Sequence, residues 1–100
     1  MITTMGRVTS PGRRTEEQNQ LFQSLYEEIR ALPGCEGVIV ARCYDEADDL
    51  TKTIAVFRWR DDAAQQAATP RVGEIAEQMG KAVPGLAAVS GEQYAVAVDL

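Results

Sequence analysis

The chain contains no histidine. That removes serine–histidine nucleophile activation, an imidazole base working near neutral pH, and metal sites built on imidazole. Cysteine is scarce, with only Cys35 and Cys43 present. If both lie on one strand, they stand roughly 26 Å apart at ~3.3 Å per residue. A disulfide needs Cα atoms within about 7 Å, so they cannot pair within the chain or share an ion, and they read as structural thiols. Long apolar runs are also missing. No window approaches the roughly 18–20 residues of a membrane-spanning helix, so no membrane partner is expected. The opening MITTMGRVTSPGRR lacks the apolar centre of a signal peptide, so a cytoplasmic location is expected. Basic clusters are absent too. Ten Lys and Arg are scattered among 15 Asp and Glu, for a net charge of −5. Nucleic-acid binding needs a positive footprint to collect phosphates, so nucleic acid is excluded as a partner. The one acidic run, Asp45 to Asp49, lacks the glycine and distal glutamate of a calcium loop and reads as a solvated turn.

What is present is the pattern of one α+β domain. One hundred residues make one domain, and a chain this short buries only roughly 65% of its unfolded surface. Met1 to Val8 reads as a first strand, followed by a Ser10-Pro11-Gly12 turn. Thr15 with Gln18, and Glu16 and Glu17 between them, form the signature of a capped helix start. Leu21, Phe22, Leu25, Tyr26, Ile29 and Leu32 then recur at helical spacing, and Pro33-Gly34 ends the helix. Gly37 to Tyr44 and Thr51 to Trp59 read as strands joined by the polar 45–50 connection. Asp61 or Asp62 caps a short helix through about Ala68. Pro70 is expected to break it, with a second segment from Val72 to Val83. A last strand is expected from about Ala87 to Val98, with a bulge or kink near Ser90-Gly91.

This order is βαββαβ, and it predicts a ferredoxin-like, four-stranded antiparallel sheet with helices on one face. Strand 3 lies between strands 1 and 2, and strand 4 lies outside strand 1. The strands are apolar on both parities: Val38 and Val40 against Ile39 and Ala41, Ile54 and Val56 against Ala55 and Phe57. A sheet with one wet face would alternate apolar with polar. The second face is therefore expected to meet a second sheet, which makes the chain a homodimer.

A pocket is expected between helix 1, the second helical region and the sheet. Phe22 and Tyr26 would face it from helix 1, and Met79, with its adaptable side chain, from the second helix. Trp59 would close one end and Arg42 would sit near the other. Tyr26 is the candidate catalytic residue, since a tyrosine can act as a general acid. Tyr44 and Tyr94 offer the same group elsewhere. Arg7, Arg42 and Lys52 fall at one end of the sheet, where they either frame the pocket mouth for an anionic or phenolate ligand or pair with the acidic hairpin. The competing outcome for Phe22, Tyr26, Trp59 and Met79 is that they simply fill the core.

Pro11-Gly12 before helix 1, Leu32-Pro33-Gly34 and Gly37 before strand 2, Trp59 followed by Asp61-Asp62-Ala63-Ala64, and Pro70-Arg71-Val72 together resemble the dimeric α/β-barrel superfamily. Within it, the chain resembles the antibiotic-biosynthesis-monooxygenase-like domains. The resemblance covers nearly the whole chain. It implies a dimeric α/β barrel made by packing the open sheet faces together, with a small ligand between sheet and helices. The implied activity is oxygenation of an aromatic or quinol-type substrate with no cofactor. Trp59 matches the tryptophan that commonly ends strand 3, whereas Ala55 stands where some oxygenases of the family carry asparagine. Haem-degrading members need a histidine ligand and a further tryptophan, neither of which exists here. No metal and no haem are therefore expected. The alternative within the same scaffold is a non-catalytic ligand-binding or stress-response protein.

Overall fold

A computed structural model describes all 100 residues, Met1–Leu100. Six elements follow in the order β1 (Ile2–Pro11), α1 (Glu16–Arg30), β2 (Cys35–Asp45), β3 (Leu50–Trp59), α2 (Asp62–Ala82) and β4 (Ala87–Ala95). They form one antiparallel sheet in the order β2-β3-β1-β4. This is the ferredoxin-like βαββαβ topology that the sequence pattern predicts.

The caps set the helices. Thr15 Oγ1 accepts the Gln18 N–H at 3.1 Å, and Gln18 Oε1 accepts the Thr15 N–H at 3.0 Å, which serves two otherwise free donors reciprocally. Helix α1 buries Phe22, Leu25 and Ile29, while Leu21, at the margin of the apolar stripe, is 42% exposed. Gly34, at φ +80°, carries the chain from α1 into β2. Its carbonyl accepts the Arg60 N–H at 2.8 Å, and any Cβ at this position would overlap the Cβ of Ala64. Asp61 caps α2 by accepting the Ala64 N–H at 2.8 Å.

The expected break at Pro70 does not occur: α2 runs unbroken from Asp62 to Ala82 with Pro70 inside it. An interior proline costs about 3 kcal/mol or more through one lost hydrogen bond and a ring clash. Against that, Ala64, Ala68, Ile75 and Met79 form one buried stripe spanning both sides of the proline. Burying side chains such as Ile75 and Met79 contributes about 1.5–3 kcal/mol each, and only a continuous helix buries all four together. Pro70 and Gln66, whose carbonyl loses its donor, are both exposed, so water can take the bond.

Strand alternation fixes two faces. On β3, Thr51, Thr53, Ala55, Phe57 and Trp59 are buried toward the helices. The register adds Ile2, Thr4 and Val8 of β1 and Val38, Val40 and Arg42 of β2 to that face. Phe22, Leu25, Ile29, Phe57, Trp59, Ile75, Met79 and Val83 make the heart of the core. The opposite face carries Met5, Ile39, Ala41, Ile54 and Val56, and no element of the chain covers it. Ile39 is 65% exposed there and Tyr94 48%. Cys35 is buried, but Cys43 is exposed on this open face, so it is not the packed thiol expected of it.

Both outer strands are irregular. The β2–β3 register skips Glu36, and the β1–β4 register skips Val89. The second bulge lies next to the expected Ser90-Gly91 position. Strand β4 ends at Ala95 rather than Val98, and beyond it Arg58 pairs with Asp99 at 3.1 Å.

Candidate functional site

Two hollows open on the helix side of the sheet. The larger, about 650 Å³, lies between α1 and the edge strand β2, with Arg14, Asn19, Phe22, Tyr26, Val38 and Arg42 among its walls. The smaller, about 320 Å³, lies between the sheet and α2, where Thr4, Phe57, Trp59, Val72 and Gly73 line it. Both reach the roughly 300 Å³ that a small-molecule site needs.

The structure brings three of the sequence-predicted residues together in the α1–β2 cleft. Phe22 is buried at its base and meets Tyr26 edge to face, at 6.4 Å and 82°. Tyr26 in turn lies 6.2 Å from Phe57. Arg42 reaches across the cleft from β2 and donates to the Asn19 side-chain oxygen on α1. Trp59 belongs to the other hollow: it is 2% exposed and its indole N–H donates to Thr4 Oγ1 at 3.0 Å. Met79 is buried in the core and lines neither hollow.

Arg7, Arg42 and Lys52 share an end of the sheet but not a face. Arg42 pairs in register with buried Thr53 on the helix side, whereas Arg7 pairs with Ile54 on the open side, as does Lys52 with Cys43. Lys52 is held by Asp45 at 3.0 Å, as the acidic-hairpin alternative has it. The three do not frame a common mouth.

The cation that sequence reading missed is Arg14. It sits between β1 and α1, immediately before the Thr15 cap, with its guanidinium carbon 4.3 Å from the centroid of Phe22. The residue as a whole is half-buried, yet Nε, Nη1 and Nη2 are all shielded from water and none has a hydrogen-bond partner. Ser10 Oγ and Thr53 Oγ1, on the helix side of the sheet, are likewise buried and unpaired. Nothing in a linear sequence marks an arginine as lacking an acceptor.

Electrostatics couple the cleft. Burial raises the Tyr26 phenol above the ordinary tyrosine value, and Arg14 and Arg42 pull in the opposite direction. Tyr26 is therefore a neutral proton donor at pH 7. Burial, with a smaller contribution from Arg42, lowers the Arg14 value, while Tyr26 opposes that shift. Arginine stays charged regardless. The arrangement can hold a flat ring against Phe22, donate a hydrogen bond from Tyr26 and stabilise negative charge. No group of three Cys, Asp or Glu side chains is placed to hold a metal ion, and no helix is long and apolar enough to cross a membrane.

Element order, sheet order and helix placement define a ferredoxin-like α+β domain. Its fold is that of the antibiotic-biosynthesis-monooxygenase domains. The cofactor-independent oxygenase SnoaB from Streptomyces nogalater superposes with a TM-score of 0.68 at 22% identity, over 99% of this chain and 95% of that one. A Deinococcus radiodurans protein assigned to the antibiotic biosynthesis monooxygenases gives 0.69 at 15% identity, over 100% and 96%. A dimeric ferredoxin-like protein from an uncultured marine organism gives 0.68 at 10% identity, over 99% and 97%. No family model and no curated protein matches the chain. At these identities the likeness is one of fold.

Proposed function

We propose that the chain is a cytoplasmic homodimer that binds a small aromatic ligand in each α1–β2 cleft, and that with a quinol-type substrate it acts as a cofactor-independent monooxygenase. The observation that carries this reading is the position of Tyr26: a neutral phenol beside an aromatic wall, with Arg42 across the cleft. Support for the reaction class comes from the SnoaB likeness.

The chemistry needs no added redox group. An electron-rich phenol loses its proton, and the cleft's cationic side chains favour the anion. That anion passes an electron to dioxygen, and the two radicals join as a carbon–peroxide bond. The peroxide regains the proton given up at the start, and loss of the remaining hydrogen from the attacked carbon as the O–O bond breaks leaves one oxygen there as a carbonyl and releases the other, with both hydrogens, as water. Tyr26 donates a hydrogen bond to the departing oxygen. Phe22 and Val38 hold the ring and exclude water.

The dimer reading rests on the open sheet face, where Met5, Ile39, Ala41, Ile54 and Val56 form an apolar layer beside exposed Tyr94. An exposed apolar layer of this kind marks an interaction surface, and a second copy offers the same layer in return. Light scattering at micromolar concentration should give twice the 10.9 kDa chain mass. Ile39→Glu should yield a monomer.

A second reading, binding without turnover, is favoured by Ala55, which is buried and carries no polar atom at the position where some oxygenases place asparagine. One experiment separates the two. The protein is screened by thermal shift against hydroquinones and anthrones, and oxygen consumption is followed with each hit. A ligand at 100 times its Kd should add about 2.7 kcal/mol of stability. Binding with oxygen uptake that Tyr26→Phe abolishes supports catalysis. Binding without uptake supports the second reading, and no binding removes both.

A further inference from the structure

One cation in the α1–β2 cleft has no acceptor. All three guanidinium nitrogens of Arg14 are shielded from solvent and unpaired. The other arginines that line the cleft are engaged: Arg30 donates to the Cys35 carbonyl at 2.6 Å, and Arg42 to Asn19. Glu16 and Glu27 also line the cleft, but neither forms an ion pair with Arg14. Guanidinium offers five donors in a planar fork that matches a carboxylate. Holding it dry and unpaired works against folding.

We infer that Arg14 is the anchor for a carboxylate and that the α1–β2 cleft selects small aromatic acids. The inference rests on the cleft being the ligand site, and it adds the class of ligand. The charges favour a monoanion. At the Arg14 end of the cleft, Arg14 and Arg42 face Glu16, an excess of one positive charge in a chain whose net charge is −5, while Glu27 and Arg30 offset each other near the far end of α1. One carboxylate balances that excess, while a phosphate dianion overshoots it. The aromatic half of the ligand has its wall in Phe22, on which the guanidinium already lies, and Tyr26 edge-on beside it. Arg14 stands outside both helix and strand, in the β1–α1 connection, so its side chain can swing off Phe22 by bond rotation and meet an entering carboxylate.

The test uses the intact protein and four probes: 4-hydroxybenzoate, its neutral isostere 4-hydroxybenzamide, phenyl phosphate and hydroquinone. Affinities come from calorimetry, and the Arg14 Nε–H is followed by NMR. The acid should bind at least about tenfold more tightly than the amide, the usual reward of a charge-assisted pair. It should shift the Arg14 Nε–H resonance, and the amide should not. Arg14→Gln should erase the acid–amide difference, and Arg14→Lys should keep part of it. Equal affinities for acid and amide, or a difference that survives Arg14→Gln, overturns the anchor and leaves the cleft reading standing. So does binding of hydroquinone alone. Phenyl phosphate binding as tightly as the acid overturns the carboxylate class. If no probe moves any cleft resonance, the anchor and the cleft reading fall together. Should Arg14→Gln fail to fold, the wild-type Nε–H response to acid against amide decides by itself.

Discussion

Removing a positive charge from Arg14 should make this protein more stable. The perturbation is Arg14→Met, which keeps an unbranched apolar stem over Phe22 and deletes the guanidinium. An unpaired buried polar group costs about 1–3 kcal/mol, more when charged. The lower end applies here because the residue as a whole is only half-buried. Deletion also relieves the approach of Arg42, which disfavours the charged form of Arg14. Against this stands the lost contact over the Phe22 ring, about 0.5–1 kcal/mol for a cation on an aromatic face. Methionine recovers part of that contact through its sulfur. The net expectation is a gain of up to about 0.5 kcal/mol, or about 2–4 °C in Tm for a domain this size. Calorimetry at fixed protein concentration reads it, because the Tm of the proposed dimer would move with concentration. Urea titration should show a higher midpoint with an unchanged slope. Arg13→Met is the control: Arg13 also stacks on a ring, 3.9 Å from the centroid of Tyr44, but its side chain is 68% exposed. It should gain nothing. A fall in Tm for Arg14→Met would show that the guanidinium is well satisfied in the free protein, and the carboxylate anchor would lose its physical basis.

Three further outcomes follow from the fold. Gly34→Ala should lower stability by more than about 1 kcal/mol in urea titration, because φ is positive there and the new Cβ overlaps Ala64. Burial raises the folded-state value of the Tyr26 phenol, so its contribution to stability is whole below about pH 10 and is lost as pH rises through that higher value. Tyr26→Phe should remove that part of the alkaline transition, which Tyr44→Phe resolves from the separate upward shift that Asp49 imposes on Tyr44. The Asp61 carboxyl is held below its ordinary value, chiefly by the Ala64 N–H, so its contribution is present above about pH 4 and is lost as pH falls through the depressed value. Asp61→Ala should flatten acid unfolding curves below pH 4, measured by circular dichroism.

The features legible in the sequence are those whose cause is local or periodic. The Thr15–Gln18 box lies within one helical turn, and apolar residues on both strand parities announce an uncovered second face. Pro70 misleads because its local cost is real but is outweighed by Ile75 and Met79, whose burial depends on the sheet beneath. Trp59 and Tyr26 look alike in the sequence, as aromatic residues beside apolar stripes. Only the fold sends one to the α2 hollow and the other to the α1–β2 cleft. Arg42 could have been separated from Arg7 and Lys52 by counting register outward from the hairpin, since face alternates with parity. Arg14 could not have been found, because what distinguishes it is the absence of an acceptor in space.

The two bulges bear on how far this protein can assemble. An exposed strand edge is a template for another strand, and a sheet with two straight edges can grow without limit. Here both edges are interrupted, at Glu36 in β2 and at Val89 in β4. Each interruption throws the ladder out of step for an incoming chain. Lateral addition is thereby disfavoured at both ends, and attachment is left to the uncovered sheet face. A contact made through one face between two identical copies uses up that face in both of them. In the proposed dimer growth would therefore stop at two, and a short chain could leave much of a sheet bare without becoming the seed of a fibre.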